Sequence, residues 1–291
     1  MARLVLSRYE HAYKLLKFVK TASANTLLRY QYYCSAVQEQ KLLVDGCNIN
    51  YVKVGAGPHP VLCTPGALGS IWTHLKPQVE NLDRTKFTIV AWDPPGYGKS
   101  RPPSRDFSPG FYERDAEWAV KLMQALDIPK YSLLGWSNGG IASMIAAAKY
   151  PDRVKKLVVW GSISYVTKPE IMLYAAHRNM DSLKPEILEA KLAVYGEDTF
   201  KKLWVDWIDS SIAVYHSETK GDICKQMLPL IQCPTLMIQG SKDRLVAPEH
   251  SLYIAKHISG CRLVVMKDGK HNLHFKYWKE FNKIVEDFLM E

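Results

Sequence analysis

The chain contains 291 residues, 47% of them hydrophobic, which is enough for one large domain with a buried core or for two small domains. No apolar run reaches the ~18 residues that a membrane-spanning helix needs, so stable membrane insertion is not expected. The net charge is +9, but residues 1–38 hold six basic side chains against one acidic side chain, which leaves a small excess elsewhere. That distribution, without a basic run interleaved with aromatic residues, argues against a nucleic-acid partner.

The first 38 residues have the composition of a targeting segment. On a helical projection Leu15 and Val19 share one face, whereas Lys14 and Lys17 lie on the other. Acidic residues are nearly absent and several hydroxyl residues follow, as in mitochondrial transit peptides. We therefore predict a mitochondrial leader over residues 1–38. The alternative is an ordinary amphipathic helix that packs on the domain or on a membrane surface, in a cytoplasmic protein.

From residue 41 onward, short apolar runs alternate with helical patterns. Several runs are apolar throughout, which is typical of strands buried on both faces of a sheet. Only residues 45–48 separate the first two runs, so these strands should form an antiparallel hairpin. The alternation predicts a mostly parallel, eight-stranded sheet with helices on both faces. The expected strands are 42–44, 49–54, 61–63, 88–92, 131–134, 157–160, 235–238 and 263–266, and the expected helices are about 112–126, 139–149, 249–258 and 277–290.

The alternation of strands and helices is interrupted at residues 165–232, which contain no convincing strand and are rich in Tyr, Trp, Met and helix formers. They lie between two predicted strands, so we predict a helical cap inserted over the C-terminal edge of the sheet, where ligands bind in open α/β sheets. Residues 39–164 and 233–291 then form the core. None of the six cysteines forms a C-x-x-C pair, and neither a metal site nor a cofactor is expected.

The sequence Gly-Trp-Ser-Asn-Gly at residues 135–139 lies between a predicted strand and a predicted helix. The chain must turn from strand to helix within about three residues, which forces Ser137 into a strained conformation. Glycine at Gly135 and Gly139 leaves room for the strand and helix to approach closely. The turn exposes the serine hydroxyl above the sheet and sets a helix N-terminus beneath a developing anion. In this context the motif predicts that Ser137 is a nucleophile.

A serine nucleophile at such a turn needs an acid and then a histidine later in the chain. Asp243 lies in the loop after the seventh predicted strand, and His271 lies in the equivalent loop after the eighth. His271 would take the proton of the Ser137 hydroxyl, while Asp243 would hold the imidazole tautomer and stabilise its cation. Asp268 is a competing acid, disfavoured because it is too near His271 in sequence to reach around. His274 is expected to be structural.

The tetrahedral intermediate of such a reaction needs two backbone N–H donors for its oxyanion. One should be Asn138, next to the serine. The other should come from the loop after the predicted strand 61–63, where Leu68 or Ala67 is the candidate. Asn138 and Ala67 are also expected to contact the substrate. The turn, the triad order and the βα alternation together predict an α/β-hydrolase fold.

Four longer motifs resemble those of the biphenyl-hydrolase-like proteins, also called valacyclovir hydrolases. The likeness extends from about residue 41 to the end of the chain, and these motifs are far more specific than G-x-S-x-G. The resemblance implies a serine esterase that acts on α-amino-acid esters, including nucleoside prodrug esters, in mitochondria. By position it implies a triad of Ser137, Asp243 and His271, with Leu68 and Asn138 as oxyanion donors. The motifs are AWDPPGYGKSRPP at 91–103, LLGWS at 133–137, AAAKYP at 146–151 and GKHNLH at 269–274.

One position departs from the family pattern, which has an aspartate directly after the nucleophile to pair with the α-ammonium group of the substrate. Here the position is Asn138. A charged hydrogen bond is worth ~1.5–3 kcal/mol and a neutral one ~0.5–1.5 kcal/mol. The loss should therefore weaken the preference for amino esters by roughly tenfold. Asp206 or Asp209 in the predicted cap is a candidate to compensate; the alternative for both is a solvated helix face.

These patterns predict a monomeric serine hydrolase whose partner is a small-molecule ester. It should cleave small carboxylic esters, α-amino-acid esters included, through an acyl-enzyme. Hydrolysis of a C–C bond or of a thioester on the same fold is the main alternative, since the fold does not separate these reactions. A non-catalytic ligand-binding homologue is the other alternative, although such proteins usually lack a member of the triad.

Overall fold

An eight-stranded sheet runs through the protein, which we describe from a computed structural model over residues 37–180 and 183–291. Its strand order is β1-β2-β4-β3-β5-β6-β7-β8, and all neighbours from β4 onward are parallel. This confirms the predicted fold class. The strands are β1 Gln40–Val44, β2 Cys47–Val54, β3 His59–Thr64, β4 Phe87–Trp92, β5 Tyr131–Trp136, β6 Val154–Trp160, β7 Thr235–Gly240 and β8 Arg262–Met266.

The predicted hairpin is present at the edge of the sheet. Strands β1 and β2 are antiparallel, and Val44 pairs with Cys47 across the turn. The two turn residues, Asp45 and Gly46, have φ values of 43° and 79°. Asp-Gly is the residue pair that tolerates two positive φ angles in a two-residue hairpin turn. The local sequence therefore accounts for the antiparallel edge on an otherwise parallel sheet.

Two inner strands, β5 and β7, are buried along their whole length. Helix α3 packs on α4, and α2 packs on α10. The helices outside the β6–β7 connection are α1 Ile71–His74, α2 Lys76–Asn81, α3 Phe111–Ala125, α4 Asn138–Lys149, α8 Pro248–His257, α9 Leu273–Lys276 and α10 Trp278–Met290.

The connection from β6 to β7 is helical. It contains α5 Lys168–Ala176, α6 Pro185–Tyr195, α7 Glu197–His216 and a 3₁₀ helix at Lys225–Leu230. Both α5 and α6 pack on α7. At the start of α5 the Glu170 carboxylate accepts a hydrogen bond from the Thr167 N–H at 2.7 Å, as in a capping box. Gly196, with a φ of 72°, separates α6 from α7.

The predicted leader, residues 1–38, lies outside the described residues except for its last two positions. From Glu39 onward the chain forms one compact unit. None of the helices described above is both long enough and apolar enough to cross a membrane.

Candidate active site

Ser137 occupies the sharp turn between β5 and α4. Its φ and ψ are 53° and −121°, a strained conformation for a residue other than glycine. A Cβ at Gly135 would lie 2.5 Å from the Gly139 carbonyl oxygen, and one at Gly139 would lie 2.4 Å from the Thr64 carbonyl oxygen. Both glycines are therefore required by close backbone approach. The strand and helix hold Ser137 at the carboxyl end of β5, where the predicted nucleophile belongs.

The hydrogen bonds of the Ser137 backbone fix this turn. The Ser137 N–H donates to the Trp160 carbonyl oxygen at 3.0 Å. The Ser137 carbonyl oxygen accepts from the Gly140 N–H at 2.9 Å and from the Ser162 hydroxyl at 2.9 Å. These bonds tie the turn to the end of β6 and to the first turn of α4. The strained conformation is thus determined by its surroundings rather than by local preference.

Asp243 and His271 meet at the ends of β7 and β8. Nδ1 of His271 lies 3.0 Å from Oδ2 of Asp243. The other carboxylate oxygen, Oδ1, accepts from the N–H groups of Leu245 and Val246 at 2.9 and 3.1 Å. The Asp243 side chain is 1% exposed and that of His271 is 17% exposed. A buried carboxylate with all its partners in place can orient the imidazole and stabilise its cation.

The two candidate acids have different partners in the structure, and so do the two nearby histidines. Asp268 forms an exposed ion pair with Lys242 at 2.7 Å, whereas Asp243 contacts the imidazole of His271. His274 is fully buried, and its Nδ1 accepts from the Trp160 indole N–H at 3.0 Å. Burial lowers the pKa of His274 to about 3. His274 is therefore held neutral inside the protein, in agreement with the structural role expected of it.

Trp136 contacts His271 through both a hydrogen bond and its ring. Its indole N–H donates to the His271 carbonyl oxygen at 3.0 Å, and the centroids of the indole and imidazole rings lie 5.3 Å apart. A Cβ at Gly161 would lie 3.1 Å from the His271 ring. The ring therefore packs closely against both an aromatic side chain and the backbone after β6. Such packing limits the orientations that the imidazole can adopt.

The predicted oxyanion loop forms a tight turn against the serine. The Gly69 N–H donates to the Gly66 carbonyl oxygen at 3.1 Å, which places Ala67 and Leu68 at the centre of the turn. A Cβ at Gly66 would lie 3.1 Å from the Ser137 Cβ. Within the described residues, no backbone acceptor is present for the N–H of Ala67 or of Leu68. Neither N–H is therefore taken by another backbone group of the described chain.

Leu68 has a positive φ of 53° and is 1% exposed. This backbone region costs a residue with a Cβ about 1–2 kcal/mol, so the surroundings must hold it. Its side chain packs with Tyr97, Tyr195, Phe200 and Leu203. Ala67 is half-buried at the margin of the same cluster.

A small cavity of about 140 Å³ lies over Ser137 and His271. Asn138 lines it, whereas Ala67 is not part of its wall. Sequence reasoning missed most of the wall, and the only signal was the general aromatic content of residues 165–232. The other lining residues are Ile141, Gly161, Ile163, Leu173, Tyr174, His177, Leu183, Trp204, Trp207, Ile208, Leu245 and Val246.

The wall contains no acidic side chain among the described residues. Asp206 forms an ion pair with Lys202 at 2.5 Å, and Asp209 binds Arg178 through two hydrogen bonds of 2.7 and 2.9 Å. Neither carboxylate lines the cavity. The expectation that one of them compensates for Asn138 is therefore wrong, since both are held by cations on the exposed side of their helix.

Within the described chain, one group of side chains is close enough to hold a metal ion, and it consists of Glu170, Glu249 and His250. Glu170 and His250 are buried, and their side chains lie 2.6 Å apart. The other oxygen of Glu170 caps helix α5. The hydrogen bond between Glu170 and His250 joins α5 to α8.

The comparisons with known proteins agree with this architecture. Residues 59–203 match the family described as alpha/beta hydrolase fold. The chain is 46% identical to the Mus musculus protein named Serine hydrolase BPHL over 255 residues, covering 88% of this chain and 87% of that protein. It is 47% identical to the Homo sapiens protein of the same name, with the same coverage.

A solved structure of 2-hydroxy-6-oxo-6-phenylhexa-2,4-dienoate hydrolase from Rhodococcus sp. strain RHA1 also matches, with a TM-score of 0.72. It covers 88% of this chain and 99% of that chain at 20% identity, so it supports the fold alone. The close sequence relatives confirm the family resemblance of the motifs. The chain is therefore a hydrolase of the alpha/beta hydrolase fold and belongs to the group of serine hydrolases that contains the biphenyl hydrolase-like protein.

Proposed function

We propose that the protein hydrolyses small carboxylic esters through an acyl-enzyme on Ser137. The observation that carries the proposal is the placement of Ser137 and His271 on one cavity, with His271 hydrogen-bonded to the buried Asp243. These three side chains come from the ends of β5, β7 and β8. A nucleophile, a base and an orienting acid in that order are the parts that serine hydrolysis requires.

The chemistry follows from the roles that these groups would take. His271 removes the proton of the Ser137 hydroxyl as the oxygen attacks the ester carbonyl. The resulting oxyanion is stabilised by the N–H groups of Leu68 and Asn138. His271 then protonates the leaving alcohol, which gives the acyl-enzyme. Water, deprotonated by the same imidazole, attacks the acyl-enzyme and releases the acid, and the serine recovers its proton.

The size of the cavity limits the acyl group. An apolar cavity of ~150 Å³ holds a molecule the size of benzene, and this one measures about 140 Å³. Its walls are mainly aliphatic and aromatic, so a branched aliphatic or a single aromatic acyl group fits best. Larger acyl groups would need α5 and α7 to move apart.

The charge of the cavity wall affects how well the α-ammonium group of an amino ester would bind. An α-ammonium group would find the Asn138 amide there but no carboxylate among the described lining residues. Burying a cation without an acidic partner is unfavourable. We therefore propose that α-amino-acid esters are accepted as substrates and that the protein discriminates only weakly between them and neutral esters of the same shape.

The helices between β6 and β7 would serve as the cap over this site. Residues of α5 and α7, including Leu173, Trp204 and Trp207, form one wall of the cavity, while Ser137 and His271 form the other. This arrangement supports the division into a core, residues 39–164 and 233–291, and a cap, residues 165–232. The proposed mitochondrial leader lies before Glu39.

A hydrolysis screen tests the proposal. Purified protein would be assayed with p-nitrophenyl esters of increasing acyl length and with matched amino-acid esters. We expect the highest kcat/KM with short branched or aromatic acyl groups. Thioesters and a vinylogous C–C substrate belong in the same screen. Faster turnover of either class than of every oxygen ester would contradict the ester assignment.

A further inference from the structure

Helix α6 places a buried lysine against the turn that contains Leu68. Lys191 is 7% exposed, and its Nζ donates to the Leu68 carbonyl oxygen at 2.7 Å. The same nitrogen lies 2.7 Å from Nε2 of His74. In the described part of the chain, no carboxylate forms an ion pair with it. Burial lowers the pKa of Lys191 to about 7. An apolar side chain of similar length would avoid this desolvation, so packing alone does not explain the lysine.

The Leu68 carbonyl receives a second donor from the same helix. The Tyr195 hydroxyl lies 3.3 Å from it and accepts a hydrogen bond from the Gly98 N–H at 3.0 Å. Lys191 and Tyr195 are one helical turn apart, so they lie on the same face of α6. The Leu68 side chain also packs against Tyr195 and Phe200. The helices between β6 and β7 thus hold Leu68 through both its carbonyl group and its side chain.

The conformation of Leu68 decides where its N–H points. In a four-residue turn the middle peptide has two common orientations, related by a flip and distinguished by the sign of φ at the third residue. Here the middle peptide joins Ala67 to Leu68, and Leu68 has a φ of 53°. Glycine or asparagine normally occupies this position, and leucine disfavours it. Relaxation to negative φ would turn the Leu68 N–H to the opposite side of the turn.

We propose that Lys191 is a positioning residue that holds the Leu68 carbonyl, and thereby keeps the Leu68 N–H directed at the site beside Ser137. The inference rests on the proposed function, in which that N–H binds the oxyanion. Lys191 contacts no reacting atom and acts through the backbone of Leu68. Since it belongs to α6, the oxyanion site is complete only while this helix is seated on the turn.

His74 makes the second polar contact of the lysine amine. Burial and the neighbouring Lys191 hold the pKa of His74 well below its usual range, so its ring is neutral. A neutral ring can accept from Lys191 through Nε2. The ring also stands edge-on to Trp136, with centroids 4.5 Å apart. A Cβ at Gly69 would lie 2.0 Å from the His74 ring, so the glycine in the turn is what allows the histidine to reach the lysine.

The test is a pre-steady-state measurement on the full chain with p-nitrophenyl acetate. Lys191→Met keeps the length and the apolar stem but removes the donor. Loss of one oxyanion donor costs about 10²–10³ in rate, and partial misdirection of the N–H should cost about tenfold to 100-fold. We expect the acylation rate constant to fall by that factor, with KM within about twofold of the original and an unchanged burst amplitude per folded protein.

The measurement separates positioning from a structural role. A merely structural lysine would lower the melting temperature or the burst amplitude and would leave the acylation rate constant of the active fraction unchanged, and this result would overturn the proposal. Lys191→Met is expected to melt at the same temperature or higher, because it removes a buried amine without an acidic partner. Lys191→Gln keeps an N–H donor and should recover part of the rate. Lys201→Met, on the exposed face of α7, is the control and should behave like the original protein.

Tyr195→Phe gives an independent check on the same carbonyl. Alone it should reduce acylation less than Lys191→Met, because its contact with Leu68 is longer. Combined, the two changes should cost less than the product of the single effects, since both donors serve one acceptor. A strictly multiplicative result would overturn the shared role. A failure of the proposed function would look different, since the original protein would then turn over no ester.

Discussion

Nδ1 of His271 lies 3.0 Å from Oδ2 of Asp243, although 28 positions separate the two residues in the chain. The contact is possible because β7 and β8 are adjacent and parallel, so the loops that follow them open at the same edge of the sheet. The nucleophile of the proposed reaction reaches that edge from β5. One sheet edge therefore carries all three groups.

The acid assignment predicts a contrast between two aspartates. Asp243→Asn should preserve the geometry but favour the wrong tautomer of His271, and kcat should fall by ~10⁴. Asp268→Asn removes only an exposed ion pair with Lys242, so its effect on kcat should be less than about twofold. Steady-state kinetics on one p-nitrophenyl ester would measure both. The reverse order of effects would mean that the acid is Asp268.

The aspartate-to-asparagine difference after the nucleophile predicts a change in specificity. Asn138→Asp should raise kcat/KM for amino esters relative to neutral esters by roughly tenfold, the value of one charge-assisted hydrogen bond. The added carboxylate should also slow neutral esters, because it places negative charge beside the oxyanion. Valine and isovalerate esters of one alcohol, compared on both proteins near neutral pH, provide the measurement. An unchanged ratio would place amine recognition elsewhere in the cavity.

The proposed leader over residues 1–38 predicts that targeting can be separated from catalysis. A fluorescent fusion carrying residues 1–38 should accumulate in mitochondria, because the segment is basic, amphipathic and nearly free of acidic residues. A chain that starts at Glu39 should keep its kcat and KM within about twofold, because the site lies entirely after that residue. Diffuse fluorescence of the fusion, or an inactive shortened chain, would contradict this prediction.

The strands, and the placement of Ser137, Asp243 and His271 at one edge of the sheet, followed from sequence because each has a strong local signal. The strands are short apolar runs, and the order Ser137, Asp243, His271 suits the sheet topology. The helices α1 and α2 were not predicted, since four and six residues are too few to show helical periodicity. The expectation for Asp206 and Asp209 was wrong because the sequence does not show which face of α7 points outward. On that outer face the two carboxylates pair with Lys202 and Arg178 and do not line the cavity.

The contacts of Lys191 were beyond sequence reasoning for a different reason. A single lysine in a helical sequence normally indicates a solvated face. Only the packing of α6 on the turn at Leu68 shows that this side chain is buried and bound to a carbonyl oxygen. The positive φ of Leu68 was equally hidden, because leucine is not a residue that signals a left-handed conformation.

Labelling with a fluorophosphonate, followed by kinetics of Ser137→Ala, tests most directly whether Ser137 is the nucleophile. The original protein should be labelled at Ser137 and lose activity in proportion to the label. Ser137→Ala should fold normally by its melting curve, take up no label, and lose a factor of ~10⁶ in kcat for esters. Retention of even about a tenth of the original rate by the folded variant, or labelling at another residue, would contradict the account.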